Sequence, residues 1–140
     1  MCILTFAGAR FCSLDELLAS SDAVSVNCPL TPETQGLIGA RELALMKPGA
    51  VLINTSRGAV LNEQDVADAL KSGKLGGAGM DVLAKEPADP ANPLLSAPNC
   101  VITPHCAWTS KEARLRLMDI LDRNLDSFVK TGKGIYRVGV

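Results

Sequence analysis

The chain has 140 residues and a net charge of −1 at pH 7, with hydrophobic residues at 47% and aromatics at 4%. The length suffices for one domain with a real core. The balanced charge and few aromatics argue against a nucleic-acid partner. No apolar stretch approaches the ~20 residues that span a bilayer, so no membrane partner is expected.

Met1-Cys2-Ile3-Leu4-Thr5-Phe6 is apolar but has no basic lead, which makes a poor signal peptide. The cysteines are Cys2, Cys12, Cys28, Cys100 and Cys106, an odd number with no C-x-x-C pair. That suits free thiols in a reducing compartment, and a cytoplasmic location is expected.

In chain order, Ser13-Leu14-Asp15-Glu16 resembles a capping box opening a short helix through Leu17 and Leu18. A strand over 23–28 follows, stopped by Pro29. A Thr- and Pro-rich loop leads to a helix over 40–46, ended by Lys47-Pro48-Gly49. The next strand is 50–55. Asn62 caps a helix through Val66, Ala67, Ala69 and Leu70, with Gly73 as its stop. Strands over 76–82 and 100–103 flank a proline-rich loop at 84–98. Ala113, Leu117, Leu121, Leu125 and Phe128 then recur at helical spacing, which predicts an amphipathic helix over about 110–130.

Strands alternate with helices, and the strands are apolar throughout. This is the pattern of an α/β doubly wound parallel sheet covered on both faces. In such a sheet, ligands bind at the carboxyl ends of the strands. Arg57 follows one strand, Asp81 ends another with Glu86 just beyond, and His105, the only histidine, follows the last.

Those residues suit reduction of a 2-oxo acid. An imidazolium can protonate the oxygen that gains charge when hydride reaches the carbonyl carbon, and a carboxylate such as Glu86 can orient the ring. A guanidinium can grip the substrate carboxylate through two hydrogen bonds. Asp81 can accept from a cofactor carboxamide or hydroxyl. Each residue taken singly also has a structural reading: a packed histidine, a surface arginine, a turn glutamate, a capping aspartate. Cys100, His105 and Cys106 lack a fourth ligand, and adjacent His and Cys point to opposite faces, so no metal site is expected.

The ordered blocks Val51-Leu52-Ile53-Asn54-Thr55-Ser56-Arg57-Gly58, Gly79-Met80-Asp81-Val82 with Glu86-Pro87, and Thr103-Pro104-His105 resemble the signatures of the D-isomer-specific 2-hydroxyacid dehydrogenases. Cys28-Pro29-Leu30-Thr31-Pro32-Glu33-Thr34 and Glu42-Leu43-Ala44-Leu45-Met46-Lys47-Pro48-Gly49 are similar to that family too, and His105-Cys106-Ala107-Trp108 resembles its glyoxylate/hydroxypyruvate reductase branch. The resemblance implies a Rossmann-type domain and NAD or NADP as cofactor. It implies catalytic roles for Arg57, Glu86 and His105. It assigns Asp81 to the nicotinamide carboxamide and Cys28, Thr34, Thr55 and Ser56 to cofactor-lining loops. It places Trp108 where it would close the substrate pocket, with simple packing as the alternative.

Family members are longer and carry a G-x-G-x-x-G fingerprint, and Gly8-Ala9-Arg10 is not one. The expectation is therefore one incomplete dinucleotide-binding domain over 1–140, lacking the first strand–helix–strand unit and the substrate domain. Its activity alone would be doubtful. The competing reading is a catalytically silent remnant that acts, if at all, as a binding module. Without that first unit the strand at 23–28 is expected to be an uncovered edge, with one sheet face thinly covered, so that the isolated chain either self-associates or is marginally stable, and binds NADH weakly or not at all. Ile3-Leu4-Thr5-Phe6 could pair there only locally.

Overall fold

A computed structural model describes residues 10–136 of the chain. The expectations for Met1 to Phe6 and for Gly8-Ala9 lie outside the described residues. The chain divides into two compact units, Met1–His105 and Cys106–Val140.

Among the described residues the first element of this unit is α1 (Leu14–Ser20), where the Ser13 hydroxyl accepts from the Glu16 N–H at 3.2 Å. The Glu16 carboxylate pairs with Arg10 at 2.7 Å. The chain continues through β1 (Ala23–Val26), α2 (Ala40–Leu45), β2 (Ala50–Asn54), α3 (Glu63–Lys71), β3 (Leu75–Met80) and β4 (Cys100–Ile102). Asn62 caps α3 by accepting from the Gln64 and Asp65 amides. Gly73 turns the chain away with φ 75°, a conformation a side chain disfavours. The loop over 84–98 contains a single 3-10 turn, Pro93–Ser96, started by Asn92 and carrying the buried Leu94.

The strands form one parallel sheet in the order β1-β2-β3-β4. Each ends sooner than the apolar pattern predicts, because pairing stops together. Val26 lies opposite Asn54, Asn54 opposite Met80, and Met80 opposite Ile102. Side chains alternate across each strand. Val24, Val26, Ala50, Leu52, Leu75, Ala78 and Met80 point into a core with Leu18 of α1, Leu43 of α2 and Val66, Ala67 and Leu70 of α3.

On the opposite face Val51 is 38% exposed, Ile53 37% and Val101 66%. The apolar character of both faces is that of a doubly wound sheet, yet the helices described in this unit cover one. Successive right-handed crossovers that step in one direction place their helices on the same side, which explains the asymmetry.

The second unit carries α4 (Lys111–Thr131). The Ser110 hydroxyl accepts from the Ala113 N–H at 3.2 Å, and Gly132 closes the helix by donating to the Phe128 carbonyl. Asn124 Oδ1 then accepts from the Tyr136 N–H at 3.1 Å. No described helix is long and apolar enough to cross a membrane.

Candidate active site

Level pairing at the sheet's carboxyl edge aligns what comes next on each strand. Asn27 and Cys28 follow β1, Thr55 to Arg57 follow β2, Asp81 follows β3, and Thr103 to His105 follow β4. The row is tied by backbone and side-chain bonds. The Asp81 N–H donates to the Asn54 carbonyl at 2.9 Å, and the Asp81 carbonyl accepts from the His105 N–H at 2.9 Å. Thr103 Oγ1 donates to Asp81 Oδ1 at 2.5 Å. Asp81 is only 5% exposed, so its carboxyl group needs a polar partner such as Thr103.

His105 Nδ1 lies 2.8 Å from Glu86 Oε2, and Glu86 Oε1 accepts from the Leu83 N–H at 2.9 Å. The hydrogen bond with His105 and then the Leu83 amide hold the Glu86 carboxyl below the ordinary carboxylate range, against a weaker upward push from burial. His105 has φ 52°, in the left-handed region. A non-glycine residue there costs about 1–3 kcal/mol and persists only where neighbours fix it. Here the His105 N–H is held by both the Asp81 and Thr103 carbonyls, each at 2.9 Å. The pair borders a concavity of about 570 Å³ with Leu83, Pro87, Ile102 and Pro104.

Arg57 lines a different concavity at the same sheet edge, about 530 Å³, with Cys28, Pro29, Thr55 and Ser56. Its size lies in the range of small-ligand clefts. Hydroxyl, amide and guanidinium donors at strand ends are a chemical fit for the polar parts of a dinucleotide. The Arg57 guanidinium rests on the Ser56 carbonyl at 2.7 Å. Thr34 shapes the neighbouring loop: its hydroxyl donates to the Pro29 carbonyl at 2.7 Å and accepts from the Thr31 N–H at 2.8 Å. Trp108 belongs to the second unit, where it borders a depression with Lys111, Arg114 and Met118.

Two residues were not among the sequence candidates. Asn54 is fully buried; its amide donates to the Arg57 carbonyl at 3.0 Å, and its oxygen accepts from the Ser56 N–H at 3.0 Å and hydroxyl at 2.8 Å. It builds the turn that presents Arg57. The signal was available, since a lone amide closing an apolar strand needs buried partners. Thr103 holds Asp81; its signals were its place at a strand end and in the block Thr103-Pro104-His105.

The four-stranded parallel sheet with its helices is the fold of a Rossmann-like dinucleotide-binding domain. Residues 4–107 match the D-isomer specific 2-hydroxyacid dehydrogenase family, NAD binding domain, and the chain belongs to that family. A hydroxypyruvate reductase of Blautia hydrogenotrophica is 51% identical over 121 residues, which is 86% of this chain and 38% of that protein. The crystal structure of a glyoxylate reductase from Paecilomyes thermophila superposes with TM-score 0.85 at 38% identity, covering 94% of this chain and 40% of that one. An NADPH-dependent glyoxylate/hydroxypyruvate reductase from Sinorhizobium meliloti, solved with NADP and malonate, gives TM-score 0.80 at 34% identity, covering 91% of this chain and 40% of that one. The chain thus spans well under half the length of these relatives.

Two smaller predictions arise here. A carboxyl with a depressed folded value stabilises the fold above its unfolded value and loses that contribution as pH falls through the folded one. Melting temperatures of wild type and Glu86→Gln should therefore differ near neutrality and converge as pH drops below 4.5, the ordinary value. Among the described residues Cys12, Cys28 and Cys100 are free thiols, and burial pushes the Cys100 thiol up. Iodoacetamide should label the exposed Cys12 well before Cys100, with no disulfide in the intact mass; equal rates or a stable bridge would contradict this.

Proposed function

We propose that this chain supplies the proton-handling and cofactor-facing edge for hydride transfer between NAD or NADP and a small 2-oxo or 2-hydroxy acid of the glyoxylate/hydroxypyruvate class. The observation that carries the reading is the 2.8 Å Glu86–His105 pair at the end of β4. Glu86 holds Nδ1, so the proton exchanged with the substrate oxygen sits on Nε2. Arg57 grips the substrate carboxylate and polarises the adjacent carbonyl. Asp81, ordered by Thr103, accepts from the nicotinamide carboxamide. Cys28, Thr34, Thr55 and Ser56 line the cofactor's path. The bound nicotinamide supplies or takes up the hydride.

In this reading the 140 residues act as part of one dinucleotide-binding domain in the cytoplasm, with a small-molecule 2-oxo acid as partner and no nucleic acid. Along the sheet, β1 has no neighbour on its outer side among the described residues. That edge is the proposed route to self-association, and light scattering should show mass above the monomer.

The test joins this chain to the remaining parts of the Blautia reductase in place of the matching segment. Loss of NADH absorbance on adding glyoxylate or hydroxypyruvate is the expected result. A folded chimera that binds NADH and reduces neither acid would instead favour a silent binding module.

A further inference from the structure

The loop that carries Glu86 is held from outside the concavity. Glu63, the first residue of α3, turns its carboxylate away from its own helix. Oε1 accepts from the Ala84 N–H at 2.7 Å, and Oε2 accepts from Asn92 Nδ2 at 2.9 Å. An acidic residue at a helix start often serves the helix itself. That role is filled here, because the Asn62 side chain already takes the Gln64 and Asp65 amides. Asn92 is 8% exposed, and its oxygen accepts from the Leu94 N–H at 3.0 Å. Both ends of its amide are therefore committed. Glu63 closes two long-range links, one to each end of the segment 84–92.

The consequence for the site lies in the neighbouring peptide groups. Leu83 and Ala84 present successive N–H groups to two different carboxylates, Leu83 to Glu86 and Ala84 to Glu63. The two peptide groups share the Leu83 Cα, so anchoring the Ala84 N–H on Glu63 restricts where the Leu83 N–H can hold Glu86. We propose that Glu63 and Asn92 are positioning residues for Glu86, holding its loop so that the carboxylate meets His105 Nδ1. This deepens the proposed function and rests on it for its catalytic meaning.

The reciprocal geometry gives a decisive test. In Glu63→Gln the new amide can accept from Ala84 but then points N–H groups at the Asn92 amide. In Asn92→Asp two carboxylates face each other. The double variant E63Q/N92D restores the pairing with donor and acceptor exchanged. The introduced glutamine still accepts from Ala84 and donates to the introduced aspartate, which still accepts from Leu94.

Carboxyl-carbon and amide NMR on the 140-residue chain reads the outcome. Each single variant should displace the Ala84 amide resonance and move the Glu86 titration upward, toward the ordinary carboxylate range, because the loop no longer holds the carboxylate against His105. E63Q/N92D should return both signals to their wild-type positions. Single variants that leave both signals unchanged would overturn the proposal, and so would a folded double variant that fails to restore them. If a single variant unfolds, recovery in the double variant decides the matter alone. These signals do not depend on turnover, so a clamp that responds as expected in a chain or chimera that reduces no 2-oxo acid would uphold the positioning and sink only the catalytic reading.

Discussion

Replacing His105 by alanine in the chimera should lower kcat by on the order of a hundredfold or more, the usual cost of losing a general acid. The fold should survive, because the side chain is 43% exposed and adds little to the core. NADH binding should persist as well, since the proposed mechanism has the lost group handle a proton and not the dinucleotide. Glu86→Gln should also lower kcat, because a glutamine has one oxygen for the two partners the carboxylate serves, His105 Nδ1 and the Leu83 N–H, and no longer favours the charged ring. Arg57→Lys should act differently, raising KM for the 2-oxo acid more than it lowers kcat, since an ammonium cannot make the two-pronged contact with a carboxylate. Steady-state kinetics with glyoxylate and hydroxypyruvate separate these patterns. Full turnover after His105→Ala would remove the histidine from the mechanism, and an unchanged KM after Arg57→Lys would remove the arginine from substrate binding.

Much of this arrangement is written in local sequence. Ser13 and Asn62 each precede an apolar-periodic run and each caps the helix expected of it, because a cap needs only its own next residues, and Ser110 caps the last helix in the same way. The strands were legible from their apolar runs, although their ends were not, since a strand stops where its partner stops. The Glu86–His105 contact followed from chemistry at successive strand ends, which parallel pairing converts into nearness in space. The Glu63–Asn92 link was not legible. It joins residues far apart in sequence through a loop whose path is set by tertiary packing, and neither residue type is unusual where it stands. The covering of one sheet face was equally hidden, because apolar strands announce that both faces want cover and say nothing about which helices supply it.

Gly58 is where the two halves of the site meet, and changing it should have the largest effect on the fold. It directly follows Arg57 and is buried in a 3-10 turn, Gly58–Val60. A Cβ built there would collide with the Leu83 carbonyl and the Ala84 nitrogen, which are backbone atoms with no rotamer to change. The same Leu83 N–H holds Glu86, and the same Ala84 N–H is held by Glu63. Gly58→Ala must therefore push the turn bearing Arg57 away from the loop bearing Glu86. Overpacking of this kind costs about 1–3 kcal/mol, and backbone neighbours put the cost at the upper end. For a domain of this size that corresponds to a fall in Tm of roughly 5–10 °C. Gly79→Ala is the matched control: a Cβ there meets only the Ile53 side chain, at 4.0 Å, and should leave Tm nearly unchanged. In the chimera, Gly58→Ala should also lower kcat and raise KM together, because it displaces at once the pair proposed to move the proton and the arginine proposed to grip the carboxylate. Calorimetric melting of both variants beside wild type checks the first expectation, and kinetics check the second. Equal melting of Gly58→Ala and wild type would show that the Arg57 turn and the Glu86 loop are not locked together through this contact.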